Sequence, residues 1–421
     1  MSNAEGTAQH STAGTAPHAS GASNSAATTT SRRSVLGLLT AASAATVLAV
    51  PALAADEATA GSGPIPDDLR PGGSVDRYIA QRAAAGEFSG TVLLAHRGRP
   101  VLSRSHGMAD HQRGIPNGPD TIFALASLNK AVTGTAVVQL AQQGRIGLHE
   151  KAGKYLDGLP ADLAARATVH DLLIHRSGLG DYVRTEAYLR DLTRWATADE
   201  VMAGIGAIIR SMPLASVPGS NTAYSNSGYH LLGEIVARVS GVSYHDYIRT
   251  HIFAAAGMRT ADFATRPQWR DDVRIARPYA VPPGGQPVDI VGDKIFIGVP
   301  GYNAFASAPD LVRFARALVG ARLLSRTYTA LALGGKTASM WSDSREVPAL
   351  PAFGGYGPNT AIVGGHRIVL HNGGAPGQST FLEIYPDLDL VTVVLSNHDG
   401  PAVSPIVNAA RTVVTARPPS R

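Results

Sequence analysis

The chain holds only five lysines among 421 residues, and one of them, Lys130, stands three positions after Ser127. Positions three apart share a helix face, so in Ser127-Leu128-Asn129-Lys130 a hydroxyl and an amine can meet. A serine hydroxyl is a poor nucleophile near neutral pH and needs a base beside it. An amine becomes that base when burial or nearby positive charge lowers its pKa. A helix N-terminus supplies such a field and favours a developing oxyanion. A second group, Tyr224-Ser225-Asn226, follows the turn Pro218-Gly219 and precedes a helix starting near Ser227. Its phenol can shuttle a proton if an adjacent cation lowers its pKa, and the Asn226 amide can hold a substrate carbonyl. A third, His371-Asn372-Gly373-Gly374, reads as a glycine-rich link between a strand ending at Leu370 and one starting at Thr380. Glycines let a ligand approach the backbone closely. The Gly374 N–H can then join that of Ser127 as a two-donor oxyanion hole. Lys336-Thr337-Ala338 is set aside as a rival third group because no strand signal flanks it.

Ser127 and Lys130 need a helix, and residues 126–143, closed by Gly144, supply one. Ser74 to Glu87 reads as an earlier helix, with Val75, Tyr78, Ile79 and Arg82 on one face. Gly90–His96 and Pro100–Gly107 flank the turn Arg97-Gly98-Arg99 and predict a hairpin. Residues 160–265 read as mostly helical. Ser307-Ala308-Pro309-Asp310 opens a helix as a capping box. The stretch 320–365 reads as loop-rich. Three strands follow, Arg367–Leu370, Thr380–Tyr385 and Leu390–Ser396, and then a terminal helix over 403–416. Two early strands, a helical middle and three late strands predict the mixed α/β (α+β) class. The sheet is antiparallel with about five strands, the first and last helices cover one face, and an inserted helical lobe completes a cleft.

The composition excludes several classes. There is no cysteine, hence no disulfide scaffold, thiolate metal site or Cys nucleophile. A net charge of +5 without runs of Lys or Arg speaks against nucleic acid as partner. No Gly-x-Ser-x-Gly elbow occurs. His170 and His175 flank Asp171 but lack the further ligands of a metal site, and read as structural. Tyr182, Tyr302, Phe305 and Tyr356 stand near the expected cleft and read as wall or core. At the N-terminus, Arg32-Arg33, an uncharged apolar stretch through Val50 and Ala52-Leu53-Ala54 make an export signal of twin-arginine type over 1–54. A linker over 55–73, a domain over 74–416 and a tail over 417–421 complete the organisation. Cleavage of the signal would leave no membrane-spanning segment.

Taken singly, each group also has an ordinary reading: a capping Ser with a surface Lys, a loop Tyr, a hairpin His. Together they resemble the penicillin-recognising serine hydrolases, which include class C β-lactamases, D-alanyl-D-alanine carboxypeptidases, D-aminopeptidases and esterases. The similarity runs over roughly 75–400 and takes in Thr168 to Leu179, Tyr224 to Tyr229 with Leu232-Gly233, and His371 to Asn397. The resemblance implies a β-lactamase/DD-peptidase-like fold and acyl transfer through an acyl-serine, without metal or organic cofactor. It makes Ser127 the nucleophile, Lys130 its partner in proton handling and Tyr224 the general base and acid that shuttles protons to and from the leaving group. The N–H groups of Ser127 and Gly374 would form the oxyanion hole. Asn226 would contact a substrate amide, His371 would orient a substrate carboxylate or polarise Tyr224, and Asn372 and Gly373 would line the substrate. The implied substrates are D-amino-acid peptides, β-lactams or small esters. The alternatives are an esterase of the same fold and a non-catalytic sensor. His371 stands where β-lactamases of this type carry Lys, which turns the expectation from β-lactams toward peptides, amides and esters.

Overall fold

The structure, a computed structural model, describes residues 65–338, 350–400 and 402–416. The stretches expected to form the export signal, residues 55–64 of the expected linker and the expected tail over 417–421 lie outside the described residues.

The early hairpin forms as its turn residues dictate. Strand β1 (Gly90–His96) meets β2 (Arg99–His106) through Arg97 and Gly98, both with positive φ. Three short strands come late: β3 (Thr337–Ala338), β4 (Ala352–Gly354) and β5 (Asn359–Val363). The long strands β6 (His366–Ala375), β7 (Gln378–Tyr385) and β8 (Leu390–Ser396) follow. They make one antiparallel sheet in the order β2-β1-β8-β7-β6-β5-β4-β3. The sheet therefore has eight strands rather than about five. The additional three lie in the stretch read as loop-rich, which also holds a helix, Arg326–Leu333. They have two, three and five residues, too few to show an alternation.

Strand alternation divides the core. Val92 and Leu94 of β1, with Leu390 and Val394 of β8, join one cluster. Leu93, Ala95, Val391, Val393 and Leu395 join the other. The first cluster is closed by helix α1 (Ser74–Ala84) through Val75 and Ile79, and by a C-terminal helix, Ser404–Thr415, through Ile406, Val407, Ala410 and Val414. The first and last helices thus cover one face, as expected. The second cluster takes in the inserted helical lobe, including α2 (Asn129–Gln142), α3 (Val169–Leu173) and α4 (Asn226–Ser240). Burial on both faces explains why every residue of β7 and β8 is buried.

The capping box expected at Ser307 does not form; Ser307 makes no cap bond. Asp310 is instead fully buried, and its carboxylate accepts from the Arg259 and Thr260 N–H groups and from Arg313. A competing tertiary use of the carboxylate outweighs the local one. A capping box does form at Thr168 and Asp171, which fixes the start of α3.

One ion pair ties the C-terminal helix to the sheet. Glu383 of β7 is fully buried and takes the Arg411 guanidinium and the Tyr385 hydroxyl (2.7 Å). Arg411→Ala strands that carboxylate without its counter-ion and is expected to cost about 3–5 kcal/mol in urea denaturation. The double variant E383Q/R411M should recover most of the loss.

Candidate active site

Ser127 lies in a 3-10 turn, Ala126–Leu128, that leads into α2. Ala126 carries a positive φ of 47°, a conformation costing a non-glycine residue roughly 1–2 kcal/mol. Backbone bonds hold it there: Leu125 N–H donates to the Ala304 carbonyl (2.8 Å) and Asn303 N–H to that of Ala126 (3.1 Å). The turn aims Ser127 out of the helix axis while keeping Lys130 one turn below.

Helix α2 is buried nearly all round, and Lys130 is 1% exposed. Its ammonium nitrogen donates to Asn226 Oδ1 (2.6 Å), the Gly301 carbonyl (2.6 Å) and Ser127 Oγ (3.2 Å). It also lies 4.7 Å above the centre of the Tyr224 ring. Burial pulls its pKa down to about 7, against the opposing pull of Asp181. Ser127 Oγ is 2.5 Å from the Tyr224 hydroxyl. The structure thus brings Ser127, Lys130 and Tyr224 together as expected. One detail differs. Burial raises the Tyr224 phenol well above its ordinary range, although a cation sits against its ring. Tyr224 is therefore a neutral phenol at rest, and Lys130 is the group poised to exchange a proton near pH 7.

Asn226 sits elsewhere than expected in the network. Its Oδ1 accepts from Lys130, and its Nδ2 donates to both oxygens of Asp181 (3.2 and 3.0 Å). Both ends of the amide are engaged, so it bridges two protein charges.

The third motif is not a loop. Residues 371–374 belong to β6, and the reversal falls after Ala375, where Ala375 pairs with Gln378. Alternation along that strand sorts the motif. His371 lines a cavity with Tyr224, and Gly373 faces the Ser127 turn. A Cβ at Gly373 would lie 2.4 Å from the Leu125 carbonyl oxygen and 2.9 Å from the Ser127 nitrogen. Asn372 falls between them and by alternation points to the opposite face of the strand. A Cβ at Gly374 would meet nothing within 4 Å.

His371 Nδ1 donates to the Asn372 carbonyl (2.7 Å), which leaves Nε2 as a lone-pair acceptor. Burial, with Lys130 nearby, pushes its pKa down to about 4. His371 is therefore neutral at neutral pH and brings no positive charge to a substrate carboxylate. Lys294, another buried lysine, is anchored on the Pro376 carbonyl (2.5 Å) at the hairpin end of the motif.

The cavity beside Tyr224 is small, about 30 Å³, and is lined also by His175, Tyr229, Asn359, Thr337 and Ala338. Thr337–Ala338 is strand β3, so a strand does flank the rival Lys-Thr group, contrary to the sequence reading. Lys336 itself turns away, with Nζ on the Leu331 (2.5 Å) and Gly334 (2.7 Å) carbonyls. Tyr182, Tyr302, Phe305 and Tyr356 do not line this cavity.

Two contributors escaped the sequence reading. His175, read as structural, ends α3 at a positive φ of 59°. Its carbonyl accepts from Ala223 N–H (2.9 Å), its Nδ1 from Ser225 N–H (3.3 Å), and its ring lies 4.9 Å from that of Tyr224. It therefore touches all three residues around the phenol. Gly180 adds a carbonyl that accepts from both Ser225 Oγ (2.9 Å) and Ser227 Oγ (2.7 Å). The available signal was a histidine placed just beyond a helix end, where glycine is usual. His170, the other member of that pair, is bonded to the Tyr356 hydroxyl (2.7 Å) instead.

Known proteins place the chain in a family. The beta-lactamase family profile matches residues 75–417, and the chain belongs to the beta-lactamase family. It is a serine hydrolase of that fold. It is 29% identical over 355 residues to penicillin-binding protein 4* of Bacillus subtilis, covering 79% of this chain and 73% of that one. A penicillin-binding protein of Bacillus halodurans superposes with a TM-score of 0.71 at 24% identity, over 80% of this chain and 99% of that one. The D-amino acid amidase of Ochrobactrum anthropi, complexed with D-phenylalanine, superposes at 0.66 and 22% identity, over 82% and 99%.

The two glycines separate packing from openness. Gly373→Ala must displace the Ser127 turn, and a misplacement near 1 Å costs about a hundred-fold in rate. Labelling of Ser127 by a fluorophosphonate should slow by that order in Gly373→Ala. Gly374→Ala should keep the fold and label within a few-fold of the parent.

Proposed function

We propose that the chain is an exported acyl-serine hydrolase acting on D-amino-acid peptides and amides. The observation that carries the reading is the placement of Ser127 Oγ within reach of both the Lys130 amine (3.2 Å) and the Tyr224 hydroxyl (2.5 Å). In this scheme the neutral amine of Lys130 takes the Ser127 proton as Oγ attacks the acyl carbonyl. The N–H groups of Ser127 and Gly374 stabilise the oxyanion. Tyr224 delivers a proton to the departing nitrogen and is reprotonated from Lys130. Water then repeats the sequence on the acyl-serine, releasing the acid.

The preference over β-lactams for amides, and for peptides held through an N–H rather than through a terminal carboxylate, rests on His371. With Nδ1–H committed to its own chain, neutral His371 offers a lone pair. That suits a substrate N–H better than a carboxylate. The relatives described as penicillin-binding proteins and a D-amino acid amidase support D-configured acyl donors. Export rests on Arg32-Arg33 and the apolar stretch after it. Replacing both arginines by lysine should block appearance of the protein outside the cytoplasm, as seen by fractionation.

Intact-protein mass spectrometry tests the reaction. The protein is incubated with a D-alanyl-D-alanine peptide, a D-amino-acid amide, a penicillin and a p-nitrophenyl ester. A short-lived adduct on Ser127, absent in Ser127→Ala, is the expected result with the peptide or amide. A long-lived adduct with penicillin alone would indicate a sensor, and turnover retained in Ser127→Ala would refute the scheme. The acylation rate should fall about tenfold per pH unit below pH 7, because the ammonium form of Lys130 then dominates.

A further inference from the structure

Asp181 has no place in the scheme above, yet the structure builds a path from it to the serine. The segment His175–Tyr182 lies along the second motif and holds it at several points. His175 grips residues 223–225, the Gly180 carbonyl takes two serine hydroxyls, and Tyr182 N–H donates to Ser227 Oγ (3.0 Å). Asp181 takes the remaining member. Its carboxylate accepts the Asn226 backbone N–H (3.2 Å) and both Nδ2 bonds. The Val183 N–H adds a further backbone donor. Burial raises the Asp181 pKa above its ordinary value, and this donor set, with Lys130, limits the rise by favouring the ionised carboxylate.

The Asn226 amide has two ends, and Asp181 fixes which end faces Lys130. A carboxylate accepts only, so the NH₂ end must point to it. The carbonyl end then points at the lysine, 2.6 Å from Nζ. The amide dipole is aligned between an anion and a cation. The other groups facing Lys130 bring no second negative charge. Tyr224 and Tyr229 present ring faces, at 4.7 and 5.5 Å from Nζ, and burial keeps both phenols neutral. His175 and His371 are held neutral by burial, their pKa values near 3 and 4, and Lys130 contributes to both shifts. The groups around Asp181 are the buried phenols Tyr182, Tyr188 and Tyr302, all held neutral. Asp181 is therefore the one anion the described residues set against the lysine.

We propose that Asp181 is a positioning residue that orients the Asn226 amide, holds Lys130 against Ser127, and sets the pH at which the lysine amine becomes free to take the serine proton. The inference rests on the reading of Ser127 and Lys130 given under the proposed function. It assigns no contact between Asp181 and substrate. An anion that favours the ammonium keeps the amine basic enough to pull the serine proton. Without it the amine forms at lower pH but is a weaker base.

The test uses the full chain with ¹³C-labelled lysine, whose five residues give few resonances. The Lys130 signal is identified by its loss in Lys130→Met. It is titrated in the parent, Asp181→Asn and Asp181→Glu, alongside the pH profile of Ser127 acylation. In Asp181→Asn the titration midpoint and the acidic limb should both fall by about one pH unit, with a lower plateau rate. Asp181→Glu, which keeps the charge, should return both toward the parent. A Lys130 midpoint unmoved in Asp181→Asn overturns the proposal, even if the rate drops, because a purely structural role slows acylation equally at every pH. If Asp181→Asn does not fold, Asp181→Ser is titrated in its place: a midpoint lowered by about one pH unit supports the proposal, and an unmoved midpoint overturns it. Failure of the parent to acylate Ser127 at any pH would instead defeat the functional reading, while the lysine titration still decides the role of Asp181.

Discussion

A primary amine placed inside a fully packed helix is the constraint on which the rest of the site depends. Removing an ammonium from water is tolerable only if its hydrogen bonds are replaced. For Lys130 the replacements come from three separate parts of the chain: the Gly301 carbonyl, the Asn226 amide and Ser127 itself. Asn129 and Thr133 on the same helix reach the neighbouring carbonyls of Val299 (2.9 Å) and Pro300 (2.7 Å). One polar stripe of α2 thus fixes the 299–301 segment, and that segment in turn holds the amine. The strained turn at Ala126 is the corollary. It brings the hydroxyl back over an amine that cannot move.

The sheet imposes the second condition. Its alternation decides what the third motif presents, and a strand offers only every other side chain to the lobe. His371 and Gly373 are offered, and Asn372 is withheld. Gly373 lets the strand come against the Ser127 turn, where any side chain would meet backbone atoms.

Local patterns in the sequence carried the parts of this arrangement that are local. The three-residue spacing of Ser127 and Lys130, the hairpin around Arg97 and Gly98, and the apolar runs of β7 and β8 express their structure within a few residues. The short strands β3 to β5 do not, because they exist only by pairing along the flank of β6. Asn226 is the clearest case at the site. Its residue type suits a substrate contact, and only the distant Asp181 reveals that both ends of the amide are used. The neutral states of His371 and Tyr224 were equally hidden, since burial depends on packing from the whole lobe. His175 was visible but ambiguous, a histidine whose partners lie fifty residues away.

The place of β1 in the sheet has a consequence for the order of assembly. Its partners are β2, next to it in the chain, and β8, which ends at Ser396. Until the last tenth of the domain has left the ribosome, the inner edge of that hairpin has nothing to pair with, and its row of free N–H and C=O groups is open to other chains. Long-range pairing of this kind also slows folding, because a large loop must close before any contact rewards it. The nascent chain therefore passes through an interval in which the hairpin is complete and its partner strand is not.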